Sequence, residues 1–428
     1  MGGMVPTPFR FIHAADLHLD TPFEGIAGPA PEVAEALREA SLQAWDRLVQ
    51  LALDEEVLFV LLAGDIYDGA ERGVRAQIRF VNGLRRLDQA GIGTFIVHGN
   101  HDPLSGWSAI HEWPATVTIF GSGAVESLPV EIAGEQVAVI HGISYGKRET
   151  IDNLARKFTR GDGRGLHVGL LHANVGAVSE HASYAPCGLA DLTAAGMDYW
   201  ALGHVHKRQV LREGDPWVVY PGDTQGRSPK PSETGEKGAF VVTVSGSTVS
   251  PPEFYALDAV RFIECEHDIG DMVDIPQLQS RLAELFDGLR AQHEGRALLV
   301  RITLGGRGRL ADDLARPGAR DALLVEMREA EAGFEPFLWI ESIKDHTRQE
   351  LDLAAIRARD DFSAGLLAFA DGLQTDEVAA SQFVADRSSL LEIGQVQRVL
   401  RELEPDEPLD LLAEAVDLAV DSVERGTS

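Results

Sequence analysis

Seven residues that can act as metal ligands stand in five short blocks of this sequence. The blocks read DLH, GDIYD, GNHD, LLHAN and GHVH, and each one follows an apolar run. They offer oxygen and imidazole nitrogen ligands from Asp16, His18, Asp65, Asn100, His172, His204 and His206. A mixed set of this size suits two neighbouring divalent ions, and dinuclear centres of that kind catalyse in-line displacement at phosphorus. We therefore predict a metal-binding hydrolase that acts on phosphoester bonds.

The spacing within the blocks explains how single loops could hold ions. One residue separates Asp16 from His18, so in extended backbone both side chains project the same way and can chelate one ion. Asp65 follows Gly64, which permits a sharp turn, and its two carboxylate oxygens can bridge two ions. Each block alone is weak, because Asp and Asn are also common turn formers. All five together, each after a strand, favour the metal centre over a series of turns.

An alternation of strands and helices positions the first three blocks. Apolar runs predict strands at residues 9–15, 57–63 and 94–98, and helical periodicity predicts helices at 31–55 and 74–90. The ligand blocks then follow the carboxyl ends of strands, where open α/β sheets bind their ligands. We expect these blocks to share one rim of the sheet.

Shorter strands follow, and two of them also end in ligand blocks. The pattern predicts strands at residues 136–141, 167–171, 199–203, 217–220 and 239–244. The predicted fold class is therefore α/β (α+β), with a four-layer domain in which two packed mixed β-sheets are flanked by helices. Two consecutive prolines at 251 and 252 end this segment.

A smaller unit of βαβαβ order begins near Val260. Strands are predicted at 260–266, 297–304 and 336–344, with helices between them. No ligand block lies in this small α+β cap, so its predicted task is to shape the substrate path. The remaining chain is helical and acidic. We predict three domains, at residues 1–255, 256–345 and 346–428.

Composition limits the class of protein. A chain of 428 residues exceeds one ordinary hydrophobic core. The absence of an apolar run of membrane-spanning length, together with the amino-terminal sequence, predicts a cytoplasmic protein without membrane association. Cys187 and Cys265 lie far apart, which predicts neither a disulfide framework nor a zinc site.

The charge distribution leaves two interpretations open. The net charge of -29 opposes nonspecific binding to a phosphate backbone. Residues 350–428 contain 6 basic and 18 acidic residues and so contribute much of this excess. Basic residues cluster near the ligand blocks, at Lys147, Arg148, Arg156, Lys157, Arg160 and Arg164 and at Lys207, Arg208, Arg227, Lys230 and Lys237. Each cluster is either a solvated face or a phosphate-binding surface.

The ordered set of blocks resembles the calcineurin-like metallophosphoesterases. This likeness covers about residues 9–244, and it implies the four-layer phosphoesterase domain. The segments HAADLHLD, YWALGHVHKRQV and YPGDTQGR, with the βαβαβ cap, are similar to SbcD-type DNA repair exonucleases and to their YhaO-like branch. The resemblance thins beyond Asp345.

The resemblance implies a ligand assignment and a catalytic pair. Asp16, His18, Asp65 and His206 would hold one ion, and Asp65, Asn100, His172 and His204 the other, with Asp65 as the bridge. His101 would stabilise the transition state or protonate the leaving oxygen, and Asp102 would orient its ring. The ligand types suit manganese, iron or zinc, and the activity of the family favours two Mn²⁺ ions.

Two positions depart from the family pattern. Asp68 stands where many of these nucleases carry His, which leaves strand choice and polarity open. Asp223 replaces a usual Asn, and we expect this extra carboxylate to weaken substrate binding if it faces the phosphate path. The histidines within strands are expected to be core or ligand-supporting residues instead of ligands; they are His13, His98, His141 and His167.

These observations lead to one favoured function and two alternatives. The favoured function is a DNA repair exonuclease or phosphodiesterase, in which a metal-activated water cuts duplex ends and leaves a 5′-phosphate. The resemblance implies an SbcC-like coiled-coil ATPase partner, docked on the carboxyl-terminal helices, and a homodimer is also compatible with it. The alternatives are a phosphoesterase for nucleotides or other small molecules, which the net charge favours, and a non-catalytic scaffold, which the complete ligand set disfavours.

Overall fold

Two β-sheets pack face to face in the amino-terminal part of the computed structural model. The structure describes residues 8–21, 31–69, 73–105, 109–110, 112–176, 185–374, 379, 382–383, 415–416 and 418–423. The first sheet has the strand order β12-β11-β1-β2-β3-β4, and β13 also pairs with β11. Its strands are β1 (Phe9–Ala14), β2 (Phe59–Ala63), β3 (Gly93–Val97), β4 (Val117–Ile119), β11 (Gly238–Ser245), β12 (Thr248–Val249) and β13 (Glu253–Ala256).

The second sheet has the strand order β5-β6-β7-β8-β10-β9. Its strands are β5 (Glu126–Ile132), β6 (Glu135–Ile143), β7 (Leu166–His172), β8 (Tyr199–Gly203), β9 (Gln209–Arg212) and β10 (Trp217–Tyr220). Strands β1 to β4 are parallel in the first sheet, with antiparallel strands beside β1 only. Strands β6, β7, β8 and β10 are parallel in the second sheet, with an antiparallel strand on each side. Both sheets are therefore mixed.

The alternation of side chains along each strand builds two layers of core. In β1, Phe11 faces the second sheet and packs with Phe59 and Tyr199, whereas Ile12 faces the opposite side. There it joins residues of α1 (Pro31–Asp54) and α2 (Val74–Gln89), including the buried Trp45. Because both faces of these strands are covered, their sequences are almost continuously apolar.

A third core covers the outer face of the second sheet. Trp200 packs there with Phe158, next to the 3-10 helix Leu154–Lys157 and α3 (Leu189–Ala194). The order helix, sheet, sheet, helix gives four layers. This confirms the predicted fold class, including the two packed mixed sheets flanked by helices.

The remaining described chain contains a three-stranded sheet and short helices. The sheet has the order β14-β15-β16, from β14 (Val260–Asp268), β15 (Ala297–Gly305) and β16 (Leu338–Asp345). The helices are α4 (Ile275–Gln292), α5 (Leu310–Leu314), α6 (Ala319–Ala330), α7 (Leu353–Arg357) and α8 (Phe362–Gln374). The predicted βαβαβ order is thus present, with α5 as an additional short helix.

By backbone contacts the chain divides into two compact units. One contains residues 1–266, 279–303 and 320–344, and the other contains 267–278, 304–319 and 345–428. Within the second unit, Val420 packs on Ile356 and Leu367. Asp421 accepts hydrogen bonds from Arg307 and Arg348 at 2.7 and 3.2 Å. The three predicted domain boundaries stay a prediction.

Helix ends agree closely with the sequence patterns, whereas short edge strands were missed. The helices predicted at 31–55 and 74–90 end within one residue of α1 and α2. No strand was predicted for β4, β5, β9, β12 or β13, which are short or lack a continuous apolar run. Among the described residues, no helix has both the length and the apolar character to cross a membrane. Both cysteines are free.

Candidate dinuclear metal centre

The carboxyl ends of five parallel strands bring the predicted ligands together. The ligands lie in the loops after β1, β2 and β3 of the first sheet and after β8 of the second, and His172 is the last residue of β7. Backbone hydrogen bonds join the first two loops, because Asp16 N donates to Gly64 O at 3.1 Å and His18 N donates to Asp65 O at 3.0 Å. The common rim expected from the sequence therefore extends over both sheets.

Strained backbone marks the loops that carry the ligands. The φ angle is 51° at Asp16, 43° at His18, 50° at Asp65 and 103° at His204. Residues with a side chain rarely adopt this left-handed region, and each such residue costs on the order of 1–3 kcal/mol. This backbone conformation directs the polar side chains inward at the sheet edge. The packing of the two sheets must compensate its free-energy cost.

One ligand cluster consists of Asp16, His18 and His206. One potential ligand atom from each residue lies within 4.8 Å of the others. The two imidazoles approach through their Nε2 atoms, which are 3.2 Å apart. The Asp16 carboxylate accepts the backbone N–H of His204 at 3.0 Å, which fixes its direction.

A second cluster consists of Asp65, His172 and His204, with Asn100 beside them. The three titratable residues again offer ligand atoms within 4.8 Å of one another. Asn100 Oδ1 lies 3.1 Å from both His172 Nε2 and His204 Nδ1. Asp65 Oδ2 lies 3.3 Å from His172 Nε2 and 4.0 Å from His18 Nε2. Asp65 therefore stands between the two clusters, at the position expected of a bridging ligand.

Close packing leaves little freedom around the Asp65 carboxylate. Asp65 Oδ1 accepts the backbone N–H of His101 at 2.9 Å. A Cβ atom at Gly99 would collide with that same carboxylate and with the ring of His172. Glycine at this position thus lets the GNHD loop approach the other ligands closely.

Burial and charge shift the titration of the ligand residues. Burial raises the pKa of Asp16 to about 6, against the opposing effect of His172 and His206. Burial together with the Arg227 guanidinium lowers the pKa of His18 to about 4. Such clusters of buried acids and imidazoles are unfavourable without a cation to compensate the carboxylate charge.

The Asp65 and His172 pair forms the strongest charge coupling in the site. Burial alone would lower the pKa of His172, but the Asp65 carboxylate raises it to about 9. Burial opposes ionisation of Asp65 as well, yet His172 and His18 hold its pKa well below the usual range. His172 Nδ1 lies 2.8 Å from Ala63 O, so this nitrogen donates to the carbonyl and Nε2 faces the cluster.

The donor set and its geometry fit two divalent ions. Nitrogen and oxygen donors in each cluster match the preferences of manganese, iron or zinc. The ring nitrogens of His172 and His206 that turn away from the clusters contact a carbonyl and a carboxylate, as ligand histidines usually do.

His101 lies beside the two clusters and contacts a carboxylate that was not assigned to it. Its Nδ1 lies 3.0 Å from Asp68 Oδ1, and this hydrogen bond, against burial, raises the His101 pKa. The Asp102 carboxylate accepts the backbone N–H groups of Ile66 and Gly99, each at 3.0 Å, and lies 3.0 Å from His98 Nδ1. Asp68 is thus a second carboxylate beside His101, and the orienting role of Asp102 stays a prediction.

Asp68 connects three side chains of the site. Its Oδ1 lies 3.1 Å from His18 Nδ1, in addition to the His101 contact, and 3.2 Å from Arg227 Nη1. The sequence contained a signal for this role, because Asp68 is the last residue of the GDIYD block. Because the Asp68 carboxylate contacts Nδ1 of His18, Nε2 of this ring faces His206.

Glu233 is a further site residue that sequence reasoning missed. Its Oε1 lies 3.1 Å from His206 Nδ1, and its Oε2 accepts the backbone N–H of Arg227 at 2.6 Å. Glu233 ends a short 3-10 helix, Pro231–Glu233, that lies 27 residues beyond His206 in sequence. No local pattern signals this contact, because only the fold brings the two residues together.

Asp223 does not face a substrate path, which corrects the expectation from the sequence. Its side chain is fully buried, and its Oδ1 lies 2.8 Å from Lys237 Nζ. Burial raises the pKa of Asp223, while Lys237 opposes this shift. The carboxylate and the ammonium compensate each other inside the protein, so neither is available to a phosphate.

The strand histidines have structural contacts, as expected. His13 lies 3.0 Å from the hydroxyl of Tyr199 and 3.1 Å from Leu202 O. His141 Nε2 lies 2.9 Å from His167 Nδ1. None of the strand histidines belongs to a ligand cluster of the described residues.

The basic residues near the site differ in availability. Arg156 and Arg160 form ion pairs with Asp191 and Asp198, which accounts for part of the first cluster as an ordinary charged face. Arg227 and Lys230 line a small cavity together with His101. Of the basic residues between positions 207 and 237, at least Arg227 and Lys230 therefore border the proposed metal centre.

Several known proteins are similar to this chain in sequence or fold. Residues 9–208 match the calcineurin-like phosphoesterase family, and residues 262–348 match the middle domain of the metallophosphoesterase YhaO. The chain is 37% identical to the uncharacterized metallophosphoesterase YhaO of Bacillus subtilis, over 84% of this chain and 86% of that protein. It is 26% identical to the DNA double-strand break repair protein Mre11 of Halobacterium salinarum, over 64% of this chain and 67% of that protein. A dimetal phosphatase from Danio rerio aligns with 58% of this chain and 99% of its own, at 13% identity and a TM-score of 0.34.

Proposed function

The chain belongs to the calcineurin-like phosphoesterases, and we propose that it is a metal-dependent DNA exonuclease or phosphodiesterase. The observation that carries this proposal is the pair of ligand clusters with Asp65 between them. The ligands of two metal ions would be the seven residues Asp16, His18, Asp65, Asn100, His172, His204 and His206. Two bound divalent ions supply a nucleophile at neutral pH and neutralise charge on the phosphate.

The residues of the chain supply the remaining parts of the reaction. Asp68 holds Nδ1 of His101, which leaves Nε2 of that ring to donate a proton to the leaving oxygen. Glu233 contacts Nδ1 of His206, and the carbonyl of Ala63 contacts Nδ1 of His172. These contacts direct Nε2 of each ring toward the ligand clusters. The proposed role of Asp102 is indirect, since its carboxylate shapes the turn between β3 and His101.

The choice of DNA as substrate is supported by the relatives. Mre11 of Halobacterium salinarum is described as a DNA double-strand break repair protein, and the chain matches it over most of its length. The α+β region that contains β14 to β16 is proposed to present duplex ends to the centre. Manganese is the proposed ion, because the resemblance to the nuclease family favours it and the nitrogen and oxygen ligands of the site are compatible with it.

A nuclease assay tests this function. With Mn²⁺, the purified protein is expected to degrade end-labelled linear duplex DNA, and both His101→Ala and Asp65→Ala are expected to lose that activity. A matched control is Asp198→Asn, which changes a carboxylate away from the centre that accepts the His167 backbone N–H. Equal activity of wild type and both site variants would disprove the assignment.

A small-molecule phosphoesterase is the second candidate. The net charge of -29 favours it, because a strongly acidic protein repels polyanions. The two candidates are distinguished by comparing turnover of a chromogenic phosphate bis-ester with turnover of DNA in the presence of the same metal ion. Efficient hydrolysis of the bis-ester without any cleavage of DNA would select this alternative.

We also propose an SbcC-like coiled-coil ATPase as partner, docked on the carboxyl-terminal helices. Phe362 and Phe369 of α8 support this, since they are 71% and 53% exposed although both are large and apolar. Phe362→Ser is expected to weaken co-purification with an ATPase encoded next to this chain, and removal of the residues after Asp345 is expected to abolish it. Undiminished binding by both proteins would refute the proposed dock.

A further inference from the structure

A cavity of about 140 Å³ opens beside His101, outside the two ligand clusters. We call it the Arg227 cavity and define it by His101, Asp68, Arg227, Ser228, Lys230 and Glu233. Its volume suits a small anion or one group of a larger substrate. The proposed reaction assigns no role to Ser228 and Lys230, and Arg227 enters it only through its contact with Asp68.

Arg227 is held in place by two carboxylates. Its side chain is 13% exposed, its Nη1 lies 3.2 Å from Asp68 Oδ1, and its Nη2 lies 3.7 Å from Glu233 Oε1. A guanidinium carries five N–H donors, and Nε of Arg227 finds no hydrogen-bond partner among the residues that the structure describes. The Arg227 guanidinium is therefore preorganised by the two carboxylates and still has an N–H group that can donate a hydrogen bond to a ligand.

Ser228 and Lys230 add donors to the same cavity. Ser228 is 5% exposed, and within the described part of the chain its hydroxyl has no hydrogen-bond partner. A buried donor without a partner is unfavourable, so an acceptor from a ligand would stabilise this arrangement. Lys230 is exposed at the rim and supplies a second cation. The two carboxylates of the cavity, Asp68 and Glu233, already contact His101, Arg227 and His206. The remaining donors of two cations and a hydroxyl favour an anion with several oxygens, and a guanidinium matches phosphate in particular.

The position of the cavity indicates which phosphate it binds. Asp68 contacts both His101 and Arg227, so the proton donor and the guanidinium lie on the same side of the centre. His101 serves the leaving oxygen in the proposed reaction. A group in the Arg227 cavity must therefore belong to the leaving part of the substrate.

We infer that the Arg227 cavity binds the phosphate that neighbours the scissile phosphodiester on its leaving side. This inference rests on the proposed function and specifies its substrate class as phosphodiester strands whose leaving group carries a further phosphate. The water oxygen bonds to phosphorus and the water releases one proton to the solvent, the bond from phosphorus to O3′ breaks, and O3′ takes a proton from His101 Nε2, which the solvent then replaces. The products are a 3′-hydroxyl on the leaving nucleotide and a 5′-phosphate on the other.

Two dinucleotides test the inference with Mn²⁺ present. One is dithymidylate with a 5′-phosphate, and the other is dithymidylate without it. The wild type is expected to prefer the phosphorylated substrate about tenfold or more in kcat/KM, mostly through KM, because charge-assisted hydrogen bonds hold the added phosphate. Arg227→Met is expected to bring this ratio close to one, and Lys230→Met to reduce it partially.

The ratio separates binding from structural damage. A variant that disturbs the centre lowers both rates together and leaves the ratio unchanged, and Lys230 is exposed, so its replacement does not disturb folding. Arg85→Met on the exposed face of α2 is the matched control and is expected to keep the wild-type ratio.

Several results would overturn the inference. These are a wild type without preference, a preference that survives both Arg227→Met and Lys230→Met, or a stronger effect of a 3′-phosphate than of a 5′-phosphate. If a chromogenic bis-ester is hydrolysed while no preference is seen, only the inference fails. If neither the dinucleotides nor the bis-ester is hydrolysed, the proposed function fails and the inference fails with it.

Discussion

Two pairs of histidines in the same domain differ in the partners of their ring nitrogens. At the centre, His18 and His206 direct Nε2 atoms at each other, 3.2 Å apart, on strained loops. In the second sheet, His141 and His167 also face each other, at 2.9 Å, but on regular strands. There Ser127 Oγ lies 2.7 Å from His141 Nδ1, and Gly163 O lies 2.9 Å from His167 Nε2.

The comparison separates a ligand histidine from a structural one. The pair in the second sheet is closed at both ends by a hydroxyl and a carbonyl, so all four ring nitrogens have partners. At the centre, carboxylates and an amide oxygen converge on the imidazoles from separate strands. Burial alone therefore does not distinguish the two groups, whereas the proposed ligands lie where several donors converge, mostly on loops with strained backbone.

The largest expected effect comes from removing the carboxylate between the clusters. Asp65→Ala is expected to reduce kcat/KM for a phosphodiester by a factor of about a thousand or more, because a shared metal ligand supplies several kcal/mol of transition-state stabilisation. Steady-state kinetics on the chromogenic bis-ester provides the measurement. Asp198→Asn, the counterpart beside the structural histidines, should retain most activity. Similar losses in both variants would erase the distinction between the two regions.

The next effect concerns the histidine that binds no ion in this account. His101→Gln is expected to lower kcat by a factor of about 10²–10⁴, the usual contribution of a positioned proton donor. Its metal content should remain that of the wild type, as measured by elemental analysis. Loss of metal together with activity would instead make His101 a ligand.

A smaller effect is expected from a carboxylate that supports a ligand. Glu233→Gln preserves shape but removes the charge beside His206 Nδ1, and it should weaken metal affinity by a factor of about 10–100. Titration with Mn²⁺ while activity is monitored measures this shift. Activity that is lost even at saturating metal would show that Glu233 acts in another way.

The smallest effect is expected in the structural pair. Burial lowers the pKa of His141 from 6.5 to about 4, so its contribution to folding stability is present above pH 6.5 and is lost as the pH falls toward 4. His141→Gln should lower the free energy of unfolding at pH 7 by about 1 kcal/mol and make its decline between pH 6.5 and 4 shallower than in the wild type. Denaturant unfolding at several pH values provides the test. Phosphodiesterase activity at pH 7 should be retained, and a loss of activity would move His141 into the centre.

The sequence predicted the parts of the site that are local. Asp16, His18 and Asn100 come shortly after the largely apolar strands β1 and β3, and parallel strands place their carboxyl ends on one edge. The helices α1 and α2 were equally predictable, since their buried faces repeat with helical spacing.

Contacts between distant segments were not predictable in this way. Glu233 reaches His206 from a short 3-10 helix, and Lys237 neutralises Asp223 only because the chain folds back on itself. The contact of Asp68 with His101 has the same origin, because the loops after two different strands bring them together. The family resemblance pointed to Asp102, whose carboxylate accepts the backbone N–H groups of Ile66 and Gly99.

Equilibrium dialysis with Mn²⁺ tests the central claim most directly. The account predicts two ions bound to each wild-type chain and to His141→Gln, and fewer than two bound to Asp65→Ala at the same free concentration. At most one ion bound to the wild type at saturation, or two ions bound to Asp65→Ala with unchanged affinity, would contradict it.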